Sequence, residues 1–248
     1  MAKDYLRSKR SLGQHFLKNN GIARRIVAAL DPKPGDTIIE IGPGRGILTC
    51  HLIKSRTEVF GVEIDSDLVR YLKQKFPHPN LHIIRNNFLK VDLADYKKVK
   101  IIGNIPYQIS TPIITKLIRE KKWWRVAVLT FQNEFAKRLL ARPKTKAYGA
   151  LSVFFQFHLR GEYLFNIPSR FFSPKPKVHS KVLRIHPGRR SLNPDFENLV
   201  KMIFSKRRKM LRSILKGYEI PAYYKRKRPE ELSLRSLLHL YGFISKTE

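Results

Sequence analysis

The chain has 248 residues, 42% of them apolar, and carries a formal charge of +31 from 50 Lys and Arg against 19 Asp and Glu. The apolar share supports a real core and excludes global disorder, while the charge excess calls for a polyanion, nucleic acid ahead of an anionic membrane surface. The single cysteine, Cys50, excludes an internal disulfide and suits the cytosol, and no stretch approaches the ~18 uninterrupted apolar residues of a membrane-spanning helix.

Residues 1–18 read as a basic arm without the apolar centre of a secretory signal. A helix is predicted over 21–30, stopped by Asp31-Pro32. TIIEIG (37–42) is a buried strand ending in a glycine turn, and ILTCHLIKS continues as a helix. EVFGVEID (58–65) is the next strand, DSDLVRYLKQKF (65–76) a helix capped by Asp65 or Ser66, and LHIIRNNF (81–88) a third strand. VKIIGNIPY (99–107) is the fourth strand, followed by a helix over 110–118 with Pro112 in its first turn, a fifth strand over 125–132 and a helix from NEFAKRLLA. This alternation at βαβ intervals predicts a parallel sheet with helices on both faces. Beyond Tyr148, LSVFFQFHL, residues 162–168 and KVLRIHP read as further strands, and 195–248 as helical and basic. A domain boundary is placed near 188, which divides the chain into 1–187 and 188–248.

Two motifs carry chemistry. In IEIGPGRGILT, Gly42, Gly44 and Gly46 sit on a strand-to-helix turn, where the backbone can approach a ligand and point free N–H groups at it. The dinucleotide pattern wants a glycine at 47, which here is Ile47. Glu63 ends the second strand, where a carboxylate can accept from both hydroxyls of a ribose. In GNIPYQIST, Asn104, Pro106 and Tyr107 follow the fourth strand, so they should face the same crevice as Gly42 and Glu63. The lone pair of an exocyclic nucleobase amine is delocalised into the ring. Two acceptors on its N–H bonds, the Asn104 side-chain oxygen and the Ile105 carbonyl, would free that pair. Pro106 fixes the turn, and Tyr107 offers a face for the base to stack on.

These motifs, together with SLGQHFL, GVEID, AYGALSV, FFSPKPKVHS and SKRRKMLRSIL, run through most of the chain and resemble the small-subunit ribosomal RNA adenine N6,N6-dimethyltransferases. The resemblance implies a Rossmann-like, α/β methyltransferase sheet with a small C-terminal all-helical domain, and S-adenosylmethionine as methyl donor. It implies transfer of two methyl groups to the N6 of each of two adjacent adenines near the 3′ end of small-subunit rRNA. By position, the cofactor contacts are His15, Leu17, Gly42, Gly44, Glu63, Asn87 and Asn104. The catalytic group is Asn104, Ile105, Pro106 and Tyr107, with Phe172 on the other face of the base. His15 stands where the family often has Asn. Asn87 stands where it usually has Asp, and its carbonyl is expected to take the cofactor's adenine amine.

Residues 188–248 hold fifteen Lys or Arg against six acids, which marks this end for phosphate contact. In KRRKMLRSILK (206–216), Met210, Leu211, Ile214 and Leu215 are expected to form one helical stripe, with Lys206, Arg207, Arg208 and Lys209 toward RNA. The expected setting is a cytoplasmic monomer acting on the small ribosomal subunit, with no membrane role. His78 and His82 are flanked by prolines that spoil a metal-binding helix, so no metal is expected, and Cys50 is read as a small apolar residue. Three rivals are a single-site large-subunit rRNA methyltransferase, a non-catalytic RNA-binding assembly factor on the same fold, and a dehydrogenase, the last disfavoured by Ile47.

Overall fold

The computed structural model describes residues 8, 9 and 12–245. Of the predicted basic arm, residues 1–7, 10 and 11 lie outside the described residues. In chain order the elements are β1 (Phe16–Leu17), α1 (Asn20–Leu30), β2 (Thr37–Ile41), α2 (Thr49–Leu52), β3 (Glu58–Glu63), α3 (Ser66–Lys75), β4 (Leu81–Arg85), β5 (Val99–Asn104), α4 (Ser110–Arg119), β6 (Trp124–Gln132), α5 (Asn133–Leu139), α6 (Ala150–His158), β7 (Leu159–Ile167), β8 (Phe172–Ser173), β9 (Ser180–Pro187), α7 (Pro194–Ser205), α8 (Leu211–Ile214), α9 (Ala222–Lys225) and α10 (Leu234–Ile244).

Local chemistry explains the boundaries. The Asn19 side chain accepts the Ile22 N–H at the start of α1, and Asp31, at φ 52°, closes the helix before Pro32. Asp65 caps α3 in the same way through the Asp67 N–H. Ile38, Ile39, Ile101, Ile102, Val128 and Leu129 are all buried, as strands covered on both faces require.

The sheet order is β4-β3-β2-β5-β6-β9-β7. The pairs β2–β3, β3–β4, β2–β5 and β5–β6 are parallel, and β6–β9 is antiparallel. From β2 the chain winds one way through β3 and β4, then crosses to β5 and β6 on the other side. The switch point therefore falls between β2 and β5, where open α/β sheets bind ligands. β1 and β8 form a separate antiparallel pair.

Contacts divide the chain into two compact units: residues up to Asn133 with Gly161–Pro187, and Glu134–Arg160 with Gly188 onward. In the second unit, Val153 and Phe157 of α6 pack with Phe196 and Val200 of α7 and Leu237 and Leu240 of α10.

Two expectations fail here. LSVFFQFHL is helix α6, not a strand. A run this rich in apolar residues has no clear period that separates a strand from a helix buried on most sides. Its polar residues betray the helix, because Ser152 and Gln156 lie four apart and both hydrogen-bond backbone carbonyls between Arg138 and Ala141. The predicted helical stripe over 206–216 is also broken: 206–209 form a turn, and only Leu211–Ile214 is helical. Side-chain and backbone bonds from outside the segment compete with the helix. Arg207 donates to the Tyr148 carbonyl at 3.2 Å, and the Leu211 N–H to the Lys227 carbonyl at 2.8 Å. The division of the segment survives, with Leu211 and Leu215 buried and Lys206, Arg208 and Lys209 exposed.

Candidate active site

The carboxyl ends of four parallel strands open on one cavity. Its lining includes Gly42 and Gly44 after β2, Glu63 at the end of β3, Asn87 after β4 and Asn104 at the end of β5. Residues 12–17 complete the wall.

Gly42 has φ 62°, and an added Cβ there would meet nothing within 4 Å. The left-handed backbone, not crowding, is what demands glycine. Gly44, at φ 59°, is crowded as well, since a Cβ would approach a Phe16 ring carbon at 2.9 Å. The Gly44 N–H donates to Glu63 Oε2 and the Asp65 N–H to Glu63 Oε1, each at 3.0 Å. Both carboxylate oxygens are thus held in place, and each retains a lone pair for a ligand hydroxyl. Glu63 is 5% exposed, and burial raises its pKa despite the two N–H bonds.

Glu40 lies beneath the glycine turn. The Thr49 hydroxyl donates to its Oε2 at 2.7 Å, while Oε1, fully buried, has no hydrogen-bond partner among the described residues. Burial, with Glu63 adding to it, pushes the Glu40 carboxyl up to about 7. Glu40 borders the cavity, and its partnerless buried oxygen would be satisfied by a cationic or N–H-bearing group brought against it. Because the folded protein holds this proton and the unfolded chain releases it near 4.5, the stabilisation from Glu40 is complete below that value and is lost as pH rises through about 7. Ligand-free Glu40→Gln should therefore show a shallower decline in urea-unfolding stability between those two pH values. An unchanged decline would contradict this assignment.

On the β5 side, Asn104 Nδ2 donates to the His15 carbonyl at 2.8 Å. A carbonyl only accepts, so the amide is oriented and Oδ1 is left as its acceptor. Ile105 and Pro106 line the cavity beside it. The Tyr107 hydroxyl bonds Ser180 Oγ at 2.8 Å, and burial raises its pKa, so the phenol stays protonated. The His15 ring stacks on Tyr107 at 5.5 Å and places Nδ1 2.7 Å from the Pro174 carbonyl, which requires Nδ1–H. His15 thus bonds Asn104 through its backbone, and its side chain turns to Tyr107 and Pro174. Leu17 lines the cavity with its flank buried in the core.

One residue is not where the sequence put it. Phe172 is 2% exposed and belongs to the core cluster around Leu17, its register partner in the β1–β8 pair, and it is absent from the cavity lining. Strand alternation sends that side chain inward. Asn87 lines the cavity as expected, and its Oδ1, which accepts the Leu89 N–H at 3.0 Å, keeps a second lone pair for a ligand amine. Its amide offers a donor as well.

Sequence reasoning missed the fastening of the 12–17 wall. Lys9 Nζ pairs with Asp65 at 2.6 Å and Asp67 at 2.9 Å, and Gln14 Nε2 donates to Asp65 at 3.2 Å. Burial would raise the Asp65 carboxyl, but the Lys9 ammonium and its N–H donors hold it below its usual value. Ser180 was missed as well. These partners are 56 and 73 residues apart, and no local pattern announces them.

In the second unit, Arg207 spends its guanidinium on Glu230 at 3.2 Å and on the Lys146 and Tyr148 carbonyls. No ion pair among the described residues involves Lys206, Arg208 or Lys209. Cys50 donates its thiol to the Ile47 carbonyl and is pushed up by burial. His82 pairs with Glu58.

A glycine turn at the switch point, a carboxylate ending the next strand and an amide-proline-tyrosine turn across the crevice define a Rossmann-like methyltransferase domain. The model of the ribosomal RNA adenine dimethylase family matches residues 5–226, and the chain belongs to that family. It is 40% identical to the ribosomal RNA small subunit methyltransferase A of Thermosynechococcus vestitus, over 87% of this chain and 85% of that protein. It is 37% identical to the protein of the same name from Persephonella marina, over 95% and 93%. The crystal structure of a dimethyladenosine transferase from Plasmodium falciparum superposes with TM-score 0.82 at 28% identity, covering 91% of this chain and 96% of that one. The 23S rRNA methyltransferase ErmE shares the fold, with TM-score 0.74 at 24% identity over 93% and 99%.

Proposed function

We propose that the protein uses S-adenosylmethionine to dimethylate the N6 of two adjacent adenines near the 3′ end of small-subunit rRNA during ribosome biogenesis. The observation that carries this reading is the oriented Asn104 amide. With Nδ2 committed to the His15 carbonyl, Oδ1 is available as an acceptor beside the Tyr107 ring and the Ile105 main chain. The names of the relatives support the choice of substrate.

The cavity suits the methyl donor. Glu63 would hold its ribose hydroxyls, the orphaned Glu40 Oε1 its ammonium end, the Gly42–Gly46 turn its backbone-facing side, and Asn87 Nδ2 a ring nitrogen of its adenine. Bound there, S-adenosylmethionine supplies an electrophilic methyl on a sulfonium. Asn104 Oδ1 and the Ile105 carbonyl accept the target N–H bonds and keep the nitrogen lone pair out of the ring. Tyr107 stacks on the base, and the proton leaves to solvent once the nitrogen has been alkylated, so no strong base is needed. An uncharged amide serves equally for an amine that already carries one methyl. Positioning and exclusion of water supply the rate.

On this reading residues 1–187 bind the donor and the base, 188–248 contribute phosphate contacts through Lys206, Arg208 and Lys209, and the protein works as a cytosolic monomer. RNA binding should weaken steeply between about 50 and 300 mM salt. The test is incubation of unmethylated small and large subunits with labelled donor, followed by mapping of the label. Two adjacent N6,N6-dimethyladenines in small-subunit rRNA are expected; label on one adenine of the large subunit would overturn the reading in favour of the ErmE-like alternative.

A further inference from the structure

We infer that α9 and α10 carry a second RNA contact, an aromatic platform of Tyr223, His239 and Phe243 that stacks unpaired nucleobases beside a phosphate-binding run, Lys225–Arg228. The platform is built from exposed rings. Tyr223 is 58% and Phe243 40% exposed, and His239 is exposed between them. The Tyr223 and His239 rings lie 25° from parallel with centroids 6.5 Å apart, and His239 meets Phe243 edge-on at 4.9 Å. Tyr224 anchors the group from below: it is buried, its ring is 4.5 Å from that of Tyr223, and its hydroxyl donates to the Ser236 carbonyl at 3.0 Å. The rings are therefore held in place before any ligand arrives, so little side-chain entropy is lost on stacking.

The charge beside the rings selects the occupant. Lys225, Arg226, Lys227 and Arg228 are all exposed, and none takes part in an ion pair among the described residues. Apolar rings next to four unpaired cations are a poor core for a protein interface, where charge is depleted. They match a ligand with flat π-faces and regularly spaced phosphates. Duplex RNA hides its base faces, so the ligand is single-stranded or loop RNA. Such stacking accepts any base and would hold an unpaired segment without reading its sequence.

The inference rests on RNA as the substrate. The test is titration of the full chain into a labelled, unstructured RNA oligomer and into a duplex of equal length. Tyr223→Ala should weaken single-strand binding about fivefold or more, leave duplex binding unchanged and leave the salt slope unchanged, while Tyr223→Phe binds like the parent. Replacing Lys225 and Arg226 with Gln should lower the salt slope on the single strand by about 1.4. Unchanged single-strand affinity in Tyr223→Ala would overturn the platform and leave the patch to a protein partner, and an equal loss on duplex would overturn the stacking of unpaired bases. Methylation of small subunits by the parent chain, measured alongside, separates that outcome from a failure of the functional reading.

Discussion

Asn104→Ala should lower the single-turnover rate of methyl transfer by about a hundredfold to a thousandfold, the range lost when one preorganised hydrogen-bond partner of a reacting group is removed. RNA affinity should change little, because the basic surfaces do not depend on this side chain, while donor affinity should fall modestly as the bond to the His15 carbonyl in the cavity wall is lost. Alanine deletes the Oδ1 acceptor and leaves the target amine conjugated to its ring. Asn104→Asp is a sharper probe. The Nδ2 position faces the His15 carbonyl at 2.8 Å, so a carboxylate would set two acceptors against each other and must turn away or bind a proton. Aspartate should therefore be impaired despite its shape. Near-normal transfer in the alanine variant would contradict the mechanism.

Glu63→Ala should weaken donor binding by about a hundredfold while sparing much of the rate at saturating donor. One carboxylate holds the Gly44 and Asp65 N–H groups and, in the proposed site, would hold the donor's ribose as well. Its removal strips two N–H groups of their acceptor, each at about 1–3 kcal/mol, and releases the glycine turn. Glu63→Gln has one acceptor oxygen in place of two, so it should satisfy one N–H and fall between the parent and alanine. Calorimetric titration of the donor, paired with urea unfolding, reads both effects. Unaltered donor affinity in the alanine variant would remove Glu63 from the binding site.

What was legible in the sequence is what local chemistry dictates. Gly42 and Gly44 need left-handed backbone, Asp65 and Asn19 cap helices, and Pro106 ends a strand, so each is visible within a few residues. The alternation of strands and helices then forces the carboxyl ends of β2, β3 and β5 to one edge, which brings Glu63 and Asn104 together across 41 residues of chain. Hidden were the features set by register and tertiary packing. The inward turn of Phe172 follows from its pairing with Leu17. The helical state of 150–158 follows from burial in the cluster with α7 and α10. The bond from Asn104 to His15 uses a backbone carbonyl, which any residue at 15 would present. For that reason the identity of the side chain at 15 leaves the amide's orientation intact.

The most direct measurement is a crystal structure of the protein with S-adenosylmethionine bound. The ribose hydroxyls should lie on Glu63, the amino-acid end over the Gly42–Gly46 turn toward Glu40, and the sulfonium methyl should face the Asn104 side-chain oxygen. A donor seated away from the carboxyl edge of the sheet, or an Asn104 amide rotated off the methyl, would contradict the proposed mechanism.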